Sequence, residues 1–374
     1  MGSELQEYDF SNELLPELIA ESDQEDFDLS YYDPFLGNLC ATGRFVDLPV
    51  IITPEGDRGT DVGITLIARK QLSSSSSFQQ HPQPPYRMIR PRSSLMSFLS
   101  PICQVATPST TSRMGPPDEQ FLVRTRESVA ILAPKKDVPT EIYRVEPDYI
   151  SKMAQISTRP SNCTDVTIHA AMSPYTPNTY AFMGDRGRIA LWTPTILSSG
   201  RTFDDLDDYS MVLYDSDDEG EYSTMLTGST DSSSKVTIIR DADPTFSSDA
   251  TTQDHDPWQS CTWGAHPSQL ITASRKSLDL VDFRVERKAT QTYLFTPRIG
   301  ETIRAIQEDQ ALQLAPFQTY IATSHQVACI DQRYAKRPLI SWAHQMDRFM
   351  PCGIKAMDLV SEGKNYCKIF LSFL

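Results

Sequence analysis

The chain has 374 residues, 39% of them hydrophobic, and a formal net charge of −15. That length suits two average domains or one large all-β domain, and the modest hydrophobic share suggests a core diluted by polar stretches. No apolar run approaches bilayer length, the N-terminus lacks a secretory pattern, and the acidic balance disfavours direct binding of free nucleic acid by the chain as a whole. Seven cysteines are scattered singly with no C-x-x-C pair, which fits a reducing compartment.

In chain order, residues 1–32 read as an acidic, disordered arm. Residues 1–33 hold eleven acids and no Lys or Arg. Leu14, Leu15, Leu18 and Ile19 form a short apolar patch, and Pro16 prevents a long helix. The patch suits either a plain tail or a short segment that folds on a partner. From residue 33 to 374 the pattern is that of one β-domain broken by two insertions. The first, 71–117, carries QLSSSSSFQQHPQPP and further Pro and Ser, a composition that cannot bury a core. The second, 200–256, carries DDLDDYS and YDSDDEGEY, with one strand expected at Lys235–Ile239.

Elsewhere the chain breaks into short runs rich in Val, Ile, Thr and aromatics, bounded by turn residues. GRFVDLPVII, ESVAIL, TYAFM, GRIALW, QLITAS and TYIATS are examples. Only PDYISKMAQI, at 147–156, suggests a helix. Many short strands without helices between them point to a sandwich, barrel or propeller.

A repeat decides among these. QLITASRKSLDLVDFR and TYIATSHQVACIDQR share one layout: a strand closing on a small residue and Ser, a turn of two or three residues, and a second strand ending Asp-x-Arg. The two units, Asp282/Arg284 and Asp331/Arg333, lie 49 residues apart. TYAFMGDRGRIALW repeats the layout without the Asp-x-Arg. This spacing marks a WD-repeat-like β-propeller, and after the insertions are removed the length allows about five blades. The apolar final residues, KIFLSFL, suggest a propeller that is incomplete in this chain.

The stretch WQSCTWGAHPSQLITASRKSLDLVDFR resembles the hallmark blade of the fungal RNA polymerase I-specific initiation factor family. That family supplies the β-propeller subunit of the core factor. Its counterpart is the C-type TATA-binding-protein-associated subunit of the vertebrate polymerase I selectivity factor. Trp258, Cys261, Gly264, His266, Pro267, Leu270, Asp282 and Arg284 carry the match. PFQTYIATSHQVACIDQRYAKRPLISWAHQMD resembles the next blade through Phe317, Ala322, Thr323, Ser324, Asp331, Arg333, Tyr334, Pro338, Trp342 and His344. DPFLGNLCATGRFVD, at 33–47, resembles the family's lead into the propeller. Family members run further, into a helical region.

The resemblance implies a non-enzymatic scaffold in transcription initiation on ribosomal DNA, in the nucleus and nucleolus. Its partners would be other core-factor subunits, TATA-binding protein and RNA polymerase I, with the promoter reached through the complex. Substrate receptors of cullin-type ubiquitin ligases are an alternative, since such propellers also end strands in Asp-x-Arg. The Trp-Asp dipeptide usual there is replaced by Val281-Asp282 and Ile330-Asp331.

Catalytic patterns are absent: there is no G-x-S-x-G, P-loop or H-E-x-x-H. Neither His325/Cys329 nor Cys261/His266 has the paired spacing of a structural zinc site, and the Asp run at 204–208 lacks a calcium-loop pattern. No cofactor or metal is expected. His266 and His344 are expected to cap blades, GDRGR to form a hairpin turn, and Ser216, followed by Asp217, Asp218 and Glu219, is a candidate phosphosite.

Overall fold

A computed structural model describes residues 33, 35–46, 48–69, 86–91, 94–108, 120–135, 145–158, 166–194, 212–213, 221–225, 233–241, 258–284, 289–307, 316–334, 337–344, 351–361 and 364–373. The strands group into consecutive antiparallel sheets. Blade 1 is β1 (Ala41–Phe45), β2 (Leu48–Glu55), β3 (Asp61–Arg69) and β4 (Tyr86–Ile89), with β5 (Met96–Ser97) paired to β3. Blade 2 is β6 (Ile102–Ala106), β7 (Phe121–Thr125), β8 (Ser128–Pro134) and β9 (Ile150–Ser157). Blade 3 is β10 (Thr167–Met172), β11 (Tyr180–Gly184), β12 (Ile189–Thr193) and β15 (Ser233–Arg240). It is widened outward by β14 (Glu221–Met225) and β13 (Val212–Leu213). Blade 4 is β16 (Gln259–Trp263), β17 (Gln269–Ser274), β18 (Leu278–Asp282) and β19 (Thr290–Phe295). Blade 5 is β20 (Ile303–Ile306), β21 (Gln318–Thr323), β22 (Gln326–Asp331) and β23 (Ile340–Ala343). The long pair β24 (Pro351–Ser361) and β25 (Lys364–Phe373) follows, with Ile354 of β24 bridged to Gln307 beside β20. The first strands β6, β10, β16 and β20 lie side by side at the hub. The fold is an all-β, five-bladed, WD-repeat-like propeller.

Strand alternation explains why blades stack. In β7, Phe121 and Val123 face blade 1, while Leu122 faces blade 3. In β8, Ala130 and Leu132 face blade 1, while Val129 and Ile131 face blade 3. Blade 4 divides Leu270 and Val281 from Ile271 and Leu278 in the same way. Both faces of each middle blade are therefore apolar, and the strands read as continuous hydrophobic runs rather than half-polar ones. Trp192 centres the layer between blades 2 and 3, with ring centroids 5.3 Å from Tyr180 and 5.6 Å from Phe182.

Two expectations change. The 147–156 stretch is not helical: Pro147–Tyr149 is a single 3-10 turn, and Ile150–Ser157 is the outer strand of blade 2, paired along β8. Tertiary pairing overrides the weak helical period there. The stretch read as the first insertion contains β4, β5 and β6, so the hub strand of blade 2 lies inside it. The Pro- and Ser-rich flanks hide the short apolar runs YRMI and ICQVA. Within 200–256, the Lys235–Ile239 strand is part of β15. The 1–32 arm and Ser216 lie outside the described residues.

Candidate functional site

The three segments that resemble each other in sequence are the second and third strands of blades 3, 4 and 5. In three blades a hydroxyl closes the turn between those strands. Thr125 Oγ1 accepts the N–H groups of Glu127 at 3.2 Å and Ser128 at 3.0 Å. Ser274 Oγ accepts those of Lys276 at 3.3 Å and Ser277 at 3.1 Å. Thr323 Oγ1 accepts those of His325 at 3.3 Å and Gln326 at 3.0 Å. Such hydroxyls mimic a backbone acceptor and fix the turn. In blade 3, GDRGR uses Gly187 instead, at φ +80°, where glycine escapes the Cβ penalty.

The β16–β17 loop is built from the motif residues Gly264, His266 and Pro267. Gly264 N–H donates to Gln269 O at 2.7 Å, and a Cβ on Gly264 would lie 2.8 Å from Gln269 Cβ. His266 Nδ1 accepts the Ser268 N–H at 3.1 Å, with Pro267 holding the turn between them. The loop also ties three blades together. Tyr175 of blade 3 donates its hydroxyl to Gly264 O at 2.6 Å, and Ala265 N–H donates to Gln332 Oε1 of blade 5 at 2.9 Å.

Trp258 lies just before β16, under the Arg275 guanidinium at 4.4 Å. Arg275 reaches into blade 5 and donates to Ile303 O at 3.0 Å. Burial, and secondarily the Arg304 charge, push its pKa well below the usual arginine range. His344 Nε2 sits 3.1 Å from Thr323 O, and Trp342 stands half exposed on β23.

Each Asp-x-Arg unit folds back on itself at the end of a third strand. Asp331 Oδ1 accepts the Arg333 N–H at 2.9 Å and Nε–H at 3.0 Å, and Oδ2 accepts Nη2–H at 2.7 Å. Asp282 accepts the Arg284 N–H at 3.1 Å and its guanidinium, and also Gln269 Nε2–H at 2.9 Å. The Arg284 hydrogen bonds, more than any other influence, lower the Asp282 carboxyl to about 2. Arg333 lowers Asp331 in the same way. The arginines project outward, more than half exposed, while Asp331 is almost enclosed.

The hub holds a polar network that no motif announces. Gln104 is fully buried on β6, and Arg124, 1% exposed, is on β7. Gln104 Oε1 accepts Arg124 Nε–H at 3.1 Å and the Ala170 N–H at 3.0 Å, while its Nε2–H donates to Ala170 O at 2.8 Å. Those three bonds fix the amide orientation and set Gln104 Nε2 3.1 Å from His169 Nε2. His169 Nδ1 in turn faces Cys261 Sγ of blade 4 at 3.6 Å. Arg124 reaches the Phe35 carbonyl, and Arg126 pairs with Asp33, so the segment leading into blade 1 is pinned to blade 2. Cys261 therefore meets His169, not His266.

The cavity beside this network, lined by Gly37, His169, Gln259, Ser260 and Arg304, measures about 20 Å³, room for roughly one water molecule. Among the described residues, no three His, Cys, Asp or Glu side chains gather as metal ligands would. Among the described residues the motif side chains and the hub network form a set of ties between blades.

Neither a protein-family model nor a curated protein matches the chain. Among solved structures, the core factor of S. cerevisiae is similar, with a TM-score of 0.56 at 12% identity, over 92% of this chain and 48% of that one. The chain thus spans about half the length of that solved chain. The β-propeller domain of Cps50 (Swd1) from Myceliophteria thermophila aligns with a TM-score of 0.39 at 6% identity, over 82% of this chain and 72% of that one. Sqt1 from Chaetomium thermophilum aligns with a TM-score of 0.41 at 12% identity, over 86% and 75%.

Proposed function

We propose that the chain is a non-enzymatic scaffold subunit of the RNA polymerase I core promoter factor, supporting pre-initiation complex assembly on ribosomal DNA in the nucleolus. The observation that carries this reading is the architectural likeness to the S. cerevisiae core factor across 92% of the chain. It is supported by the two consecutive Asp-x-Arg blades, which resemble that family in sequence. The reading assigns no reaction to the chain. Its contacts are with sister subunits, TATA-binding protein and the polymerase. With a net charge of −15, it leaves DNA to more basic partners. Affinity purification of the tagged chain from nuclear extract tests this. Core-factor subunits should dominate the recovered proteins; a cullin adaptor in their place would overturn the reading.

A further inference from the structure

Blade 5 carries a concentration of exposed apolar side chains. Phe317, Tyr334, Leu339, Ile340 and Trp342 are each at least 39% exposed, and all lie at its outer edge or at its Asp-x-Arg corner. Ile340 pairs with Cys329 and Trp342 with Val327 across the β22–β23 ladder, so each pair shares a face of the sheet. Cys329 and Val327 belong to the buried layer that packs on Ile354 of β24. Ile340 and Trp342 therefore extend that layer outward, beyond the point where described residues cover it. β23 is also the last strand of its sheet among the described residues.

The charge around this patch runs against the rest of the chain. Residues 316–344 include Arg333, Lys336 and Arg337, and their only acid is Asp331, which Arg333 engages. Arg333 covers the faces of Phe317 at 4.6 Å and Tyr334 at 5.5 Å, which occupies the ring surface a nucleic-acid base would stack on. The aliphatic Leu339 and Ile340 likewise suit a protein rather than a base. We infer that the outer edge of blade 5 docks an extended acidic segment of a partner protein. Alternate bulky apolar side chains of that segment would sit on Ile340 and Trp342, and its carboxylates would meet the exposed Arg337. This is strand addition at a sheet edge, with backbone pairing for affinity and pockets for alternate residues. The inference rests on the scaffold reading and names the surface and the chemistry of its partner.

The test uses the full chain and a short fluorescein-labelled peptide alternating glutamate with isoleucine and phenylalanine. Anisotropy should show saturable binding that weakens with salt. Trp342→Ala and Arg337→Glu should each weaken it by at least about tenfold. Both residues are exposed, so melting temperatures should stay at the wild-type value, and amide exchange at β23 should slow when the peptide is bound. Equal binding of a matched lysine peptide, or of both variants, overturns the inference. Displacement of the peptide by a DNA oligonucleotide assigns the patch to nucleic acid instead. Concentration-dependent self-association lost in Trp342→Ala assigns it to a second copy. The scaffold reading is judged separately. If the wild type and Trp342→Ala recover core-factor subunits equally from extract, this surface fails while the scaffold stands. If neither recovers them, the scaffold fails.

Discussion

Gln104→Met keeps roughly the volume of the side chain while removing four polar contacts from a site closed to solvent. The buried Arg124 keeps the Phe35 carbonyl but loses the Gln104 oxygen 3.1 Å from its Nε. Ala170 loses the partner of its N–H at 3.0 Å and of its carbonyl at 2.8 Å. An orphaned buried neutral group costs about 1–3 kcal/mol, and breaking the setting of a buried charge costs about 3–5. These losses share one side chain and do not add. The expected cost is therefore about 3–5 kcal/mol. At about 2–4 °C per kcal/mol, the melting temperature should fall by about 6–20 °C. Gln104→Glu keeps an acceptor for Arg124 and the Ala170 N–H but turns its second carboxylate oxygen towards the Ala170 carbonyl, so it should also melt below wild type. Circular dichroism melts at neutral pH measure all three. Gln104→Met melting within about 2 °C of wild type would refute the claim that this network holds blades 2 and 3 together.

Asp331→Ala should cost about 1–3 kcal/mol in urea unfolding and more than Asp282→Ala, because Asp331 is almost fully enclosed while Asp282 is partly open to solvent. Asp282 should also make the fold acid-sensitive. Its carboxyl is held at about 2 in the folded state, below its ordinary value of about 3.9, so the stability it adds is complete above pH ~4 and is lost as pH falls towards 2. The stability gap between wild type and Asp282→Asn should narrow over that window; a constant gap would show that the carboxylate charge contributes nothing. Asp279, raised by burial, changes in the opposite sense but is common to both proteins and cancels. Gly264→Ala should cost about 1–3 kcal/mol because its Cβ meets Gln269, whereas Gly187→Ala, with its nearest neighbour at 3.6 Å, should cost about 1–2 kcal/mol from its φ of +80° alone. Chemical denaturation compares the two.

What could be read from the chain followed what repeats locally. Ser274 and Thr323 lie 49 residues apart, as do Asp282 and Asp331, because each pair occupies the same corner of consecutive blades. Thr125 closes the same turn in blade 2, but the long inserts between it and Ser274 remove its period from view. The runs YRMI and ICQVA were hidden by their Pro- and Ser-rich flanks, although they form the outer strand of blade 1 and the hub strand of blade 2. Gln104 was not legible at all. It is one glutamine in an apolar run, and its partners on β10 are 65 and 66 residues away. Arg333 was legible as a motif residue, but its stacking on Phe317 and Tyr334 was not, since it depends on how the corner folds.

The division of labour in the ring follows from these contacts. The layers between blades are apolar and their attraction is non-directional. Directional bonds add to them, and they sit at both radii. At the hub, Gln104 joins blade 2 to blade 3, and His169 carries the link to Cys261 of blade 4. Towards the loops, Tyr175 joins blade 3 to blade 4, and Gln332 joins blade 5 back to the same β16–β17 loop. Arg275 adds a third tie, from the β17–β18 turn to β20. Blade 4 thus receives polar ties from both neighbours, and its motif residues Trp258, Gly264 and His266 position or contact several of them. A blade held in this way presents its neighbour's outer edge in one fixed orientation, which keeps Ile340, Trp342 and Arg337 preorganised and lowers the entropy lost when a partner strand docks.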